Sequence, residues 1–491
     1  MLNKIPILKS LLDYYEEGVV PFHMPGHKKG NLYSKIGFDL FDTSMLTLDV
    51  TEIPGIDNLH CPEDAIKEAQ RLAAKAFGAD YTFFLVNGTT CGIYSMIMAA
   101  TNPGDKIIVP RNCHKSVAGA VILGRLKPVY INPSIDSKLR AAMGITPQEI
   151  EAIIMQHPDA KTVVITNPTF YGACSDIEGI AKAVHKHNML LLVDEAHGAH
   201  FKFHSRLPVS AMKAGADAAA QSTHKTLAAM TQASMLHVKS ERIDIDKLKF
   251  FLQLNQTTSP SHIMLATLDI TRYIMEETGK ELLDASISSS NWARDEINCI
   301  KGVYCLGRDR IGKYGIYDID DTRLTINFSN LGVGGTEIEH LLRKSFKIQV
   351  EMSDLYNIVA IASIGDDAKS YEKLVYALSM LAAKAKHSED LNDSFSNRLY
   401  LKEIAPVQAM LPWEAVYGEK EYISIENSIG RICGEMLIPY PPGIPVIMPG
   451  ELITEEVLDY IAECMDKGIK INGPSDATLE KIAVIKRQIS A

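Results

Sequence analysis

The sequence predicts an α/β protein: a mainly parallel sheet covered by helices, followed by a smaller α+β domain and a C-terminal α+β domain. Three observations point there. Runs rich in Val, Ile and Leu recur as KIIVP (106–110), PVYIN (128–132), TVVIT (162–166) and LLLVD (190–194), and such unbroken apolar strands belong to sheets buried on both faces. Helical spacing fills the gaps between them, most clearly over 147–156 and 176–187. After residue 298 the pattern changes to short strands and helices (GVYCL, RLTINFS, IVAIASI, KLVYALSMLAA), which suits an α+β arrangement.

With 491 residues and 46% apolar content, the chain can fill the cores of two or three domains. The net charge of −10, with no clustered stripe of Lys or Arg, argues against nucleic acid and membrane as partners. Eight cysteines without a Cys-x-x-Cys pair favour reduced thiols in a cytoplasm over disulfides or a zinc site. The opening MLNKIPILKSLLDYYEEG carries charges throughout and lacks the apolar core of a signal peptide, and no apolar run approaches the length of a membrane span.

Residues 1–60 read as an irregular N-terminal arm holding PFHMPGHKKG (21–30). Its two histidines lack acidic or cysteine partners at ligand spacing, so a loop at a subunit or domain contact is expected, and no metal. Residues 61–290 read as the large domain. A helix is predicted over EDAIKEAQRLAAKAFGA, then a strand over 81–86 that runs into Asn87-Gly88-Thr89-Thr90 and an apolar helix. Unpaired N–H groups and the helix dipole suit that junction to a phosphate, with Thr89 and Thr90 as contacts; an N-cap without a ligand is the other reading. KIIVP leads likewise into Arg111-Asn112-Cys113-His114, where His114 can stack on a flat ring or merely cap the following helix.

The chain is organised around QSTHKTLAAMTQASMLH (221–237). Lys225 stands there between His224 and Thr226, and desolvation or a nearby cation would free its neutral amine for attack on a carbonyl. Upstream, LLLVDEAHGAH places Asp194 at the carboxyl end of a strand, where open α/β sheets bind ligands. A carboxylate there, followed by Ser222, His224 and Lys225, is what pyridoxal phosphate chemistry requires. The acid keeps the pyridine nitrogen protonated, the lysine takes the aldehyde, and hydroxyl and imidazole hold the phosphate.

Beyond it come a helical arm (ERIDIDKLKFFLQLNQ), Thr257-Thr258-Ser259-Pro260 and one long helix over 262–293. Residues 291–386 read as the small domain, the polar run 387–397 as a linker, and 398–491 as the C-terminal domain. In the last, YPPGIPVIMPGE reads as an extended, rigid segment presenting Glu451, either to a distal cationic group or as a cap on the next helix. Glu351 and Asp354 are further acids.

PGHKKG, NGTT, RNCHKS, DEAHGAH, QSTHK, TTSP and YPPGIPVIMPGE, in this order, resemble the Orn/Lys/Arg decarboxylase family of fold-type-I pyridoxal phosphate enzymes over nearly the whole chain. The absence of a wing domain ahead of the first motif is similar to the short subgroup that includes arginine decarboxylases of Gram-positive bacteria. The resemblance implies Lys225 as the cofactor lysine, Asp194 as partner of the pyridine nitrogen and His114 as the imidazole on the ring. It implies phosphate contacts from Thr89, Thr90, Ser222 and His224, with Thr257 reaching across from a second subunit. His197 would lie beside the ring, and Glu451 would meet the substrate's distal cation. The implied unit is a cytoplasmic homodimer or larger homo-oligomer with its site at the subunit interface. The implied reaction is decarboxylation of a basic L-amino acid: arginine to agmatine first, lysine or ornithine as alternatives, in polyamine biosynthesis. An aminotransferase or lyase using the same cofactor, or a silent regulator of the same fold, are the competing readings. No arginine for an α-carboxylate is identifiable, and Lys225, Asp194 and His114 are all present.

Overall fold

The structure is a computed structural model that describes residues 1–30, 33, 43–385, 406–441 and 443–487; the linker expected at 387–397 lies outside the described residues. The main sheet has seven strands: β1 (Tyr81–Leu85), β2 (Lys106–Pro110), β3 (Lys127–Ile131), β4 (Ala160–Thr166), β5 (Leu190–Asp194), β6 (Ala218–Gln221) and β7 (Ser234–Val238). Their order is β1-β7-β6-β5-β4-β2-β3. β2 pairs in parallel with β3 and β4, and β5 with β6, as the apolar runs predict. β7 is the exception and lies antiparallel to β1 and β6. Between β6 and β7 the chain makes only the single helical turn Thr223–Thr226, so it returns beside β6 without the crossover helix that a parallel pairing needs.

The chain divides into two compact units, Met1–Ala100 with Leu191–Asp284, and Thr101–Leu190 with Ala285–Ala491. In the first, residues 6–16 form helix α1 (Pro6–Glu16) where an irregular arm was expected. Pro6 suits the first helical position, and Ile7, Leu11 and Tyr14 recur at helical spacing on one buried face. That face shares a core with Ile66 and Phe77 of α2 (Ala65–Phe77), with Phe84 and Met235 of the sheet, and with Leu265. Helix α3 (Gly88–Ala100) begins within the NGTT motif, earlier than the apolar run alone indicates. The long helix expected over 262–293 is two helices, His262–Glu277 and Gly279–Cys299, because Thr278 leaves helical geometry and the weak helix former Gly279 follows it.

In the second unit, α4 (Lys115–Leu123) follows β2, and Pro147–Gln156 forms a helix whose start is fixed by reciprocal bonds between Thr146 and Glu149. A four-stranded antiparallel sheet of β8 (Tyr304–Cys305), β9 (Arg323–Asn327), β10 (Met352–Ser353) and β11 (Asn357–Ile361) supplies the smaller α+β part. Farther on, Cys433, Leu437, Ile447, Val457, Ile461 and Val484 form a separate core. The proline-rich stretch is not extended, contrary to expectation. Val446 N donates to Leu437 O (2.9 Å) and Leu437 N to Ile447 O (3.2 Å), so the segment closes into a loop, turning at Gly443 with φ +92°.

Candidate active site

In the first unit, Asp194 ends β5 directly opposite Ala220 of β6. The two chains stay joined past the strand ends: Glu195 N donates to Ala220 O (3.0 Å) and Ser222 N to Ala196 O (3.3 Å). The turn Thr223–Thr226 then sets Lys225 back toward the acid-bearing segment. Its Nζ lies 3.1 Å from Nε2 of the buried His197. Asp194 is buried, with Oδ1 accepting from Ala196 N at 3.2 Å. Burial pushes its carboxyl above the usual carboxylate range, and the charge of Lys225 opposes that shift.

The start of α3 supplies an end of the site suited to an anion. First-turn N–H groups have no intrahelical partner, and a Cβ added at Gly88 would meet nothing within 4 Å, so the helix opens onto free space there. Thr89 Oγ1 bonds Ser222 Oγ and lies 3.0 Å from Ser234 Oγ, which ties α3 to the lysine turn. Thr90 stands in the same first helical turn. His224 is anchored through Nδ1 to Ala233 O (2.8 Å), and the Oγ1 atoms of Thr223 and Thr226 are buried without a hydrogen-bond partner among the described residues. Exposed Thr257 receives Asn87 of its own chain: its N–H donates to Asn87 Oδ1 at 3.2 Å. A dianion at the helix start, a cationic ring nitrogen at Asp194 and a carbonyl at Lys225 would each find the complementary group, so these residues could hold pyridoxal phosphate.

Behind these residues runs a buried polar chain that sequence reasoning missed. Glu195 accepts from Ala211 N (2.8 Å) and Gln221 Nε2 (2.7 Å); Gln221 Oε1 lies 3.0 Å from His237 Nε2, and His237 Nδ1 lies 2.8 Å from Thr82 Oγ1. It fixes the residues next to Asp194 and Ser222 across β6, β7 and β1. Burial pushes the Glu195 carboxyl up to about 8 and the His237 imidazole down to about 3, so both are neutral near pH 7. The only sequence signal was a set of polar residues inside otherwise apolar strands.

In the second unit, His114 caps α4. Its Nδ1 accepts from Ser116 N (3.2 Å) and lies 2.8 Å from Ser116 Oγ, which leaves the ring hydrogen on Nε2. Lys115 N donates to Gly443 O (3.2 Å), bringing the proline-rich loop against this helix start. Glu451 does meet a cation, but that cation is Arg111: Nη2 donates to Glu451 Oε2 at 2.8 Å, and the carboxylate is 1% exposed. The same oxygen accepts from Met448 N (2.7 Å), and Arg111 also donates to Val446 O (2.9 Å) and lies 4.9 Å over the Tyr130 ring. Glu451 does not cap the next helix, which Thr454 caps. Its Oε1 is buried without a hydrogen-bond partner among the described residues. Burial raises the Glu451 carboxyl and Arg111 opposes the rise. Glu351 is exposed, whereas Asp354 accepts from Tyr171 Oη and from the backbone of Tyr356 and Asn357, each at 2.7 Å. Among the described residues no helix is long and apolar enough to cross a membrane.

This sheet, with a lysine turn set against a strand-end carboxylate, defines a fold-type-I pyridoxal phosphate enzyme fold. The family model for the Orn/Lys/Arg decarboxylase major domain matches residues 5–370, and that for the C-terminal domain matches 390–473. The chain is 40% identical over 486 residues to the arginine decarboxylase of Bacillus subtilis (strain 168), covering 99% of each. It is 42% identical over 484 residues to the arginine decarboxylase of Halalkalibacterium halodurans, covering 99% of this chain and 98% of that one. The solved lysine decarboxylase of Francisella novicida is similar at a TM-score of 0.84 and 23% identity, over 98% of this chain and 81% of that chain. The chain belongs to the Orn/Lys/Arg decarboxylase family of pyridoxal phosphate-dependent carboxy-lyases, and its reaction is decarboxylation of a basic amino acid.

The buried chain yields a pH test. With its carboxyl held near 8 in the fold, against 4.5 ordinarily, Glu195 keeps a proton that the unfolded chain loses. Its contribution to stability is therefore fully present below about pH 4.5 and is lost as pH rises through about 8. In urea unfolding, the advantage of wild type over Glu195→Gln should shrink steadily from pH 5.5 to 8.5; a difference independent of pH would contradict the assignment.

Proposed function

We propose that this protein converts L-arginine to agmatine and CO2, using pyridoxal phosphate held by the cluster around Lys225. The observation that carries the substrate is the identity of 40% and 42%, over nearly the full length, with two arginine decarboxylases. The cofactor reading is supported by the chemistry of the residues present. Lys225 supplies the amine that takes the aldehyde. Asp194, desolvated and raised, gains its counter-charge when a protonated pyridine nitrogen sits against it, and so holds the proton on that nitrogen. Thr89, Thr90, Ser222, His224 and the first-turn N–H groups of α3 take the phosphate, with Thr257 of a second copy completing it in a homodimer. His114 covers the ring, and His197 holds the Lys225 amine in place.

When bound, pyridoxal phosphate supplies the electron sink that accepts the pair left as the bond from Cα to the carboxylate breaks. Lys225 or His114 returns a proton to Cα. Glu451 meets the substrate's distal cation, its Oε2 held by Arg111 and its Oε1 without a hydrogen-bond partner among the described residues. We further propose a cytoplasmic location, a role in polyamine biosynthesis, and the division into arm, large domain, small domain, linker and C-terminal domain at the boundaries given above.

The test is an assay with added pyridoxal phosphate and L-arginine, L-lysine or L-ornithine, reading CO2 and identifying the amine by mass spectrometry. Agmatine from arginine is expected, and Lys225→Ala should lower turnover on the order of 10^3-fold while leaving the melting temperature near that of wild type. Cadaverine or putrescine as the main product would move the substrate to lysine or ornithine. A keto acid without CO2 would overturn the proposal.

A further inference from the structure

We infer that a cavity in the second unit, lined by none of the residues of the lysine cluster, binds a small anion with a flat apolar body, and that Arg140 grips its acid group. The cavity measures about 180 Å³, room for a small molecule rather than a single water. Its apolar wall includes Leu355, Ile444, Val446 and Ile469, and its aromatic wall Tyr171, Tyr356 and Tyr460.

The sign of the ligand follows from which polar groups are already committed. Asp354 lines the cavity, but its carboxylate is taken up by Tyr171 Oη, the N–H groups of Tyr356 and Asn357, and Asn357 Nδ2 at 3.0 Å. Arg111 also lines it, and its charge is matched by Glu451. Arg140 is different. Its guanidinium lies 4.8 Å from the centre of the Tyr356 ring and hydrogen-bonds the Tyr356 side chain, and no carboxylate among the described residues pairs with it. Of the charged groups lining the cavity this leaves one cation without a carboxylate partner among the described residues, with Asn112 and Asn132 also on its wall. A basic substrate side chain would be repelled there and find no free carboxylate. A carboxylate or phosphate would find a guanidinium that gives one hydrogen bond to the Tyr356 hydroxyl and keeps further N–H donors for an acid group.

The backbone at Arg140 is held in an uncommon conformation. Its φ is +52°, a conformation that residues other than glycine rarely adopt. The preceding turn holds it there: Arg140 N donates to Asp136 O (2.7 Å), while the Asp136 carboxylate accepts from Lys138 N (2.8 Å) and Leu139 N (2.9 Å). The tyrosine rings then favour a planar ligand over a compact inorganic ion.

Phenylacetate and phenyl phosphate are the probes, titrated calorimetrically into the cofactor-loaded full-length protein. One-to-one binding of at least one is expected, weakened roughly tenfold or more by Arg140→Gln, the loss expected for a charge-assisted hydrogen bond, and partly kept by Arg140→Lys. Ile444→Trp, which fills the cavity and leaves Arg140 in place, should abolish binding of both. Preference between the two probes identifies the acid group as carboxylate or phosphate ester. No binding of either probe at millimolar concentration, or equal binding to wild type and Arg140→Gln in a variant that melts like wild type, would overturn the inference.

Discussion

The first unit is arranged around the removal of Asp194 from water. A carboxylate at the end of a buried strand is costly unless a cation offsets it, and here the charge of Lys225 does so in part. Holding the two in that relation constrains the surrounding chain. β5 and β6 must pair in the register that sets Asp194 against Ala220, the chain must turn at once after Ser222, and β7 must come back antiparallel to close that turn. The Glu195–Gln221–His237–Thr82 chain then locks the same strand ends from the interior. The start of α3 joins this frame through the bond from Thr89 to Ser222.

The second unit manages charge by a different route. Arg111 and Glu451 neutralise each other in a buried pair, and Asp354 is surrounded by donors. Arg140 stands apart in this scheme, held by Tyr356 and unmatched by a carboxylate among the described residues. The contrast shows why residue type alone does not reveal role: Arg111 and Arg140 line one cavity with opposite states of compensation.

Much of the site was legible in the sequence because its chemistry is local along the chain. An apolar strand ending in Asp194 and a polar turn carrying Ser222, His224 and Lys225 are short-range patterns, and the sheet brings them together as parallel neighbours. Other features depend on contacts that no local window contains. Glu451 and Arg111 are 340 residues apart, so the expected reach of Glu451 toward a ligand could not be weighed against a partner inside the protein. The proline-rich loop closes through Leu437 and Ile447, an ordinary apolar pair in sequence. The polar chain requires β1, β7 and β6 to be neighbours, which follows from sheet order and not from any residue's own signal. Helix α1 and the break at Thr278 were missed for a smaller reason: a short amphipathic helix in an apolar N-terminus, and a single Thr-Gly step, are weak signals beside the long runs around them.

On the reading proposed above, Lys225 is the residue that carries the cofactor. It is tested most directly by reducing the pyridoxal phosphate-loaded protein with borohydride, digesting it, and locating the added cofactor mass by peptide mass spectrometry. The mass is expected on the peptide containing Lys225 and not in Lys225→Ala. Cofactor mass on another lysine, or none on a protein that otherwise binds the cofactor, would contradict it.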